Sequence, residues 1–219
     1  GGHAAAMTTA PPPVRSIDDV LTALRRVVDD AARTGDRLGY FAALYRQVTV
    51  AVARAIERGD FDDGERMDRL DAAFAGRYLD ALHGWRAGVE ISRSWRAAFR
   101  AADQPGPVLV QHLVLGVNAH INLDLAVAAA RTCPGDGIAD LERDFDRIND
   151  ILVATLTDVQ DAVADLSPMF GVLDVVLGRL DEAVIGFDIV RARSQAWEAA
   201  ELLARQPADA AGATERLLD

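Results

Sequence analysis

The fold is decided by one stretch, Gln111-His-Leu-Val-Leu-Gly-Val-Asn-Ala-His-Ile-Asn-Leu-Asp-Leu125. It lies in a longer apolar run, residues 108–130, yet it carries two His, two Asn, one Gln and one Asp. At about 100° per residue, a helix here is apolar on most of its sides, which is typical of a helix buried inside a domain. Buried polar groups need partners, so these residues predict either a satisfied structural network or an active site.

Composition narrows the class of protein. The chain has 219 residues, 50 % of them hydrophobic but only 6 % aromatic, which favours a helical core of Ala, Leu and Val. Its formal charge of −11 would repel a nucleic-acid backbone, so we expect no nucleic-acid partner. Its one cysteine, Cys133, permits neither an intrachain disulfide nor a multi-cysteine metal site.

The ends of the chain differ in character from its middle. Residues 1–15 combine a short stretch typical of a cloning remnant with a proline-rich segment, and we expect them to be disordered. Residues 16–205 form the predicted single domain, and residues 206–219 form a predicted flexible tail. No long stretch lacks strongly polar groups, so we expect no membrane span and a soluble cytoplasmic protein.

Apolar periodicity predicts an all-α fold, a bundle of seven or eight helices around the buried helix at residues 108–130. Ser16 and Asp19 form a capping box that opens the first helix. No segment alternates apolar and polar residues as a strand would. The predicted helices span residues 16–33, 38–58, 65–88, 92–102, 108–130, 138–166, 169–180 and 181–205.

The strongest candidate site combines two neighbouring helices. His120 and Asp124 are four residues apart, a spacing at which they can share a hydrogen bond or a metal ion. Asp71 lies in the middle of the apolar face of the 65–88 helix, where a carboxylate needs a partner or a function. The three residues are predicted to be catalytic, or to hold a single divalent ion such as zinc, iron or manganese.

Other polar residues are predicted to line the same site and to bind substrate. They are His112, Asn118, Asn122, Tyr78 and Asn149. A structural network is the alternative, in which these groups only satisfy one another and lock the helices in register. In that alternative, Arg191 and Arg193 neutralise the buried acids through salt bridges.

Several strings resemble a family of bacterial all-helical proteins known as a domain of unknown function. The resemblance covers nearly the whole chain after residue 15 and implies a discrete helical domain without implying an activity. Its most specific part is the string His-Ile-Asn-Leu-Asp, which ends at Asp124. The strings that carry it are Phe74-Ala-Gly-Arg-Tyr-Leu-Asp80, Ser92-Arg-Ser-Trp-Arg96, Gln111-His-Leu, Asn118-Ala-His-Ile-Asn-Leu-Asp-Leu125 and Asp144-Phe-Asp-Arg-Ile-Asn-Asp-Ile-Leu152.

A weaker, local likeness is to the helical zinc-dependent phospholipase C and P1 nuclease group. That group uses a His-x-x-x-Asp pair as zinc ligands, and His120 with Asp124 matches the spacing. It also requires several further histidines, and besides His120 and His3 in the remnant this chain has only His83 and His112. The likeness therefore implies at most a single-metal site.

These observations favour an enzyme that acts on a small, largely apolar metabolite in a pocket between the 108–130 and 65–88 helices. The expected chemistry is His/Asp proton transfer, as in a lyase, isomerase or cyclase, or metal-assisted hydrolysis. The alternative is a non-catalytic binding or interaction protein whose buried network is structural. The expected partners are a small-molecule ligand and, as an option left open, a second copy of the chain in a homodimer.

Overall fold

The computed structural model describes residues 13–102, 116–117, 119–166 and 182–207, with 210, 212 and 214. The side chains of residues 122, 153, 156–166 and 182–188 lie outside that description. The regular structure within these ranges is helical and contains no strand, so the predicted all-α class is confirmed. The predicted 169–180 helix and the first part of the 108–130 helix lie outside the described residues.

The described residues form seven α-helices, one π-helical segment and one 3₁₀ segment. Several bounds match the predicted ones within a few residues. The helices are α1 (Ile17–Thr34), α2 (Gly39–Arg58), α3 (Gly64–Ala87), α4 (Arg93–Ala102), α5 (Ala126–Thr132), α6 (Glu142–Leu166) and α7 (Glu182–Ala204).

Local signals in the sequence set the ends of the first helices. The Ser16 side chain accepts a hydrogen bond from the backbone N–H of Asp19, which is one half of the predicted capping box; the Asp19 carboxylate accepts from the backbone N–H of Arg15 instead of that of Ser16. Asp63 caps α3 in the same way through the N–H of Arg66 at 2.9 Å. Helix α1 ends at Gly35, whose φ of 71° is left-handed and favours glycine.

Two predicted helices differ from the structure in detail. The predicted 138–166 helix begins with a 3₁₀ segment, Gly135–Leu141, and becomes α-helical only at Glu142. Pro134 and two nearby glycines disfavour an α-helical first turn, and short 3₁₀ segments are common at helix N-termini. Inside the predicted 108–130 helix, His120–Leu125 forms a π-helical segment, here called the π segment, which leads directly into α5.

The core consists of two apolar clusters that meet at the π segment. One is formed mainly by α1 to α4, and the other by the π segment, α5, the 3₁₀ segment, α6 and α7. Phe74 of α3 packs against both clusters. His120 and Asp124 of the π segment are therefore buried between the two clusters.

Among the helices described, none is both long and apolar enough to cross a membrane. In the predicted tail, the hydroxyl of Thr214 donates to the side chain of Gln206 at 2.8 Å. The flexibility of residues 206–219 stays a prediction.

Candidate functional site

His120 is a buried imidazole at the start of the π segment. Only 4 % of the residue is exposed. Its Nδ1 lies 3.4 Å from Oδ2 of Asp124, the contact for which the four-residue spacing is suited. Its Nε2 is also buried and has no hydrogen-bond partner in the described part of the chain. The imidazole therefore has one nitrogen held by a carboxylate and one nitrogen that is free to exchange a proton.

An aromatic cage fixes the orientation of this imidazole. The Phe74 ring stacks on it with 3.5 Å between centroids and 7° between planes, and the Tyr45 ring approaches edge-on at 4.6 Å. Although the chain has only 7 Phe, 3 Tyr and 3 Trp, five of them surround His120. These aromatic residues are Phe41, Tyr45, Phe74, Tyr78 and Trp95.

Asp124 is a buried carboxylate whose two oxygens both accept hydrogen bonds. Nε of Arg77 donates to Oδ1 at 2.8 Å, and the indole N–H of Trp95 donates to Oδ2 at 2.7 Å. Charge-assisted bonds of this kind stabilise the ionised carboxylate. These two bonds fix the Asp124 carboxylate next to Nδ1 of His120.

Sequence reasoning missed Arg77 and Trp95 as partners of Asp124. They lie on α3 and α4, and each is part of a string that carries the family resemblance, which was the available signal. The alternative in which Arg191 and Arg193 neutralise the buried acids is wrong for the described acids. Arg191 is exposed, and Arg193 donates to neutral acceptors instead.

Asp71 also has an unpartnered polar atom, as does the hydroxyl of Tyr45. Its Oδ2 is buried without a hydrogen bond from any described residue. Burial, with a smaller contribution from the negative charge of Asp68, raises the pKa of Asp71 to about 7. The Asp71 carboxyl therefore exists in both protonated and ionised forms near neutral pH.

Asp71 and His120 both line one cavity, which has a volume of about 110 Å³. Its walls come from α2, α3, the π segment, α6 and α7, which is a wider set than the two helices predicted. Tyr45 and Arg193 complete its polar lining. The apolar lining consists of Phe41, Leu44, Val48, Val52, Met67, Leu70, Phe74, Val117, Ile121, Leu125, Phe145, Ile148, Leu152 and Ile189.

The enclosure of the site changes the acid–base character of its groups. Burial lowers the pKa of His120 below its ordinary value of 6.5, although Asp124 acts in the opposite direction. The imidazole is therefore neutral at neutral pH and able to accept a proton. Burial raises the pKa of Tyr45 well above its usual value, so this phenol stays protonated.

The predicted metal set fits this geometry poorly. No three His, Cys, Asp or Glu side chains among the described residues are grouped to hold an ion. Asp124 faces the positive guanidinium of Arg77, accepts hydrogen bonds through both oxygens and is not among the residues that line the cavity. A metal held by His120, Asp124 and Asp71 stays a prediction that these contacts do not favour.

The remaining predicted site residues divide into two groups. Tyr78 is buried against Phe41 and Trp95 with an unpartnered hydroxyl, and it is not among the described residues that line the cavity. Asn149 accepts a hydrogen bond from Arg193, which places it next to the cavity wall. The predicted substrate-binding residues His112 and Asn118, and the side chain of Asn122, lie outside the described residues.

Fold and site together define an all-helical protein with a largely apolar cavity, in which three proton-carrying groups of the described residues, on Tyr45, Asp71 and His120, each have a buried atom without a hydrogen-bond partner. The chain belongs to a family of unknown function (DUF5995), whose sequence model matches residues 17–219. The predicted membership of a helical domain-of-unknown-function family is thereby confirmed. Comparison with curated proteins and with solved structures gave no match.

Proposed function

We propose that this protein is an enzyme that performs acid–base chemistry on a small, largely apolar molecule. One observation carries the proposal. Nε2 of His120 and Oδ2 of Asp71 are both buried and unpartnered, and both residues line the same cavity. Leaving two buried polar atoms without partners costs about 1–3 kcal/mol each, a cost that is typical of functional sites and would be relieved by a bound ligand.

His120 and Asp71 have complementary protonation states. Near neutral pH the His120 imidazole is neutral and can accept a proton at Nε2, while protonated Asp71 can donate one. In an isomerisation, His120 removes a proton from a carbon, and Asp71 delivers a proton to another atom of the same molecule. His120 then releases the proton that it took and Asp71 regains the one that it gave, directly or through water, which restores both groups and completes the cycle.

Asp124 supports this chemistry without meeting the substrate. Its carboxylate is fixed by Arg77 and Trp95 behind the imidazole, so it can orient the ring and stabilise the imidazolium that forms. A lyase, an isomerase and a cyclase all use this combination of one base and one acid. Metal-assisted hydrolysis is less well supported, because the carboxylate nearest to His120 is already neutralised.

The cavity limits the size of the substrate. A cavity of about 150 Å³ lined by Leu, Ile and Phe accommodates benzene, and this one has about 110 Å³. Its lining is apolar except at four residues, so the substrate should have a compact hydrocarbon body and few polar atoms. Half-buried residues such as Leu44, Val48 and Leu152 line the cavity and offer a route for entry from the surface.

A non-catalytic binding protein is the second candidate. The observation that favours it is the full hydrogen bonding of Asp124, which is what a structural network also requires. In that case His120 and Asp71 bind a ligand without changing it. A cytoplasmic location and a homodimer stay predictions, and sedimentation equilibrium would test the homodimer.

Deuterium wash-in tests the proposal on a mixture of candidate substrates. The protein is incubated in D₂O with pooled small metabolites, and mass spectrometry identifies any compound that gains deuterium or is converted. The variants His120→Gln and Asp71→Asn remove the base and the acid. Their matched controls are His83→Gln, on α3 away from the cavity lining, and the exposed Asp150→Asn.

Wild-type protein and both controls should label or convert a compound that the His120 and Asp71 variants leave unchanged. A compound that binds wild type, is retained through dialysis and gains no deuterium would instead identify a binding protein. Turnover that survives in both site variants would contradict the assignment of these residues.

A further inference from the structure

Arg193 is a buried cation in the cavity wall. It lies on α7 with only 3 % of its surface exposed. Its Nε donates to Oδ1 of Asn149 at 2.5 Å, and one terminal nitrogen donates to the carbonyl of Phe145 at 2.7 Å. The guanidinium carbon also lies 4.3 Å from the centre of the Phe145 ring. All of these described contacts are with neutral groups.

The positive charge of Arg193 has no carboxylate partner within the described residues. Asp146 is the acid that acts on it electrostatically, but Asp146 is exposed and makes no described ion pair with it. Burial lowers the pKa of Arg193 to about 9, and the charge of Asp146 offsets only part of that shift. A guanidinium has five N–H donors, and the described hydrogen bonds use two of them.

Arg66, which is partly buried, shows what a compensated arginine looks like in this chain. It donates to Asp144 at 2.7 Å, and that carboxylate also accepts the backbone N–H groups of Asp62 and Asp63. Arg77 likewise faces Asp124. Arg193 differs from both because it makes no ion pair with a carboxylate of the described residues and instead lines the cavity.

We propose that Arg193 binds the carboxylate of the ligand, so that the substrate class is a small aliphatic carboxylic acid. The inference rests on the proposed function, because it uses the same cavity. Planar guanidinium and carboxylate groups match in geometry and charge, and a desolvated pair of this kind binds strongly. The hydrocarbon body of the acid would then contact Ile148, Leu152 and Ile189.

A monocarboxylate fits the charge of the site better than a phosphate. One guanidinium can balance a single negative charge, whereas a phosphate carries up to two charges near neutral pH. Asp71 lines the same cavity and would oppose additional negative charge when it is ionised. Anchoring the carboxylate at Arg193 would also fix which carbon of the chain faces His120 and Asp71.

Isothermal titration calorimetry with matched probes tests this assignment. The probes are 3-methylbutanoate, its neutral amide and the corresponding alcohol, titrated into the full chain at pH 6.5. The variants are Arg193→Gln, which removes the charge, and Arg193→Lys, which keeps it without the planar fork. Arg191→Gln is the control, because Arg191 is exposed on the same helix and its loss changes net charge equally.

Wild type and Arg191→Gln should bind the acid at least about ten-fold more tightly than the amide or the alcohol. Arg193→Gln should lose that preference while still binding the neutral probes, and Arg193→Lys should retain part of it. If Arg193→Gln does not fold, the test uses two measurements instead. They are the preference of wild type for the acid over the amide and the alcohol, and the partial loss of that preference in Arg193→Lys.

Equal binding of acid and amide by wild type would overturn the carboxylate anchor and leave the cavity and its acid–base groups intact. An acid preference that persists in a folded Arg193→Gln variant would overturn Arg193 as the anchor. Absence of binding by all three probes would also overturn the inference. The deuterium wash-in experiment would still test the proposed function independently.

Discussion

The indole N–H of Trp95 donates a 2.7 Å hydrogen bond to Oδ2 of Asp124, in a part of the core where both side chains are almost completely buried. This bond joins α4 to the π segment. Arg77 of α3 binds the other oxygen, so one carboxylate links three elements. Asp124 therefore has a structural role in addition to its support of His120.

Asp124→Asn should destabilise the fold by about 3 kcal/mol, because an amide cannot balance the largely buried charge of Arg77. Urea denaturation measures this free energy of unfolding. The control is Asp150→Asn, whose exposed ion pair with Arg147 should contribute less than about 1 kcal/mol. A loss at Asp124 no larger than the loss at Asp150 would contradict the prediction.

Asp71→Asn should stabilise the fold at alkaline pH. The folded-state pKa of Asp71 is raised from 3.8 to about 7, so the native state favours the protonated form and loses stability as pH rises through that range. At about 1.4 kcal/mol per pH unit, the raised pKa lowers the free energy of unfolding of wild type by at most about 4 kcal/mol. The free energy of unfolding of Asp71→Asn, relative to that of wild type, should therefore increase between pH 4 and about 7. Above pH 7 the difference should stay constant.

Unfolding free energies measured at pH 4, 6 and 8 would check this dependence. Asp150→Asn again serves as the control, because Asp150 is exposed on α6, away from the cavity lining. If Asp71→Asn destabilises the protein most at pH 8, then the Asp71 carboxylate has a stabilising partner and the unpartnered assignment is wrong.

The rate of the proposed reaction should depend on pH as a narrow bell. Activity should rise as His120 loses its proton, below pH 6.5, because the pKa of this imidazole is lowered. It should fall as Asp71 ionises, near pH 7. In Asp71→Asn the alkaline limb should disappear and the rate should drop by about 10²–10⁴-fold. A profile of kcat/KM against pH for wild type, Asp71→Asn and His83→Gln would show whether the two limbs belong to these residues.

The sequence predicted the parts of the fold that depend on local signals. The Ser16 cap and the left-handed Gly35 are each determined by neighbouring residues, and α1 begins and ends within a residue of its predicted bounds. The π segment was not predicted. A helix that is apolar on nearly every side has no polar face whose phase would distinguish a π turn from an α turn.

The candidate site was predictable to the extent that it lies on single helices. The spacing of His120 and Asp124 predicted their contact, and the position of Asp71 on an apolar face predicted the burial of its Oδ2. Arg77 is 47 residues from Asp124, and Arg193 is 44 residues from Asn149. Such pairings depend on how the helices pack, which periodicity within one helix does not determine.

Gly116, which precedes the π segment, should tolerate no side chain without a cost. A Cβ at this position would lie 2.6 Å from a ring carbon of Phe41, so that ring and the cage around His120 would have to shift. Gly116→Ala should therefore lower the free energy of unfolding by about 1–3 kcal/mol. Gly137→Ala is the control, because no atom lies within 4 Å of its Cβ and its effect should be slight. Comparable stability of the two variants would show that the contact between Gly116 and Phe41 is looser than the structure places it.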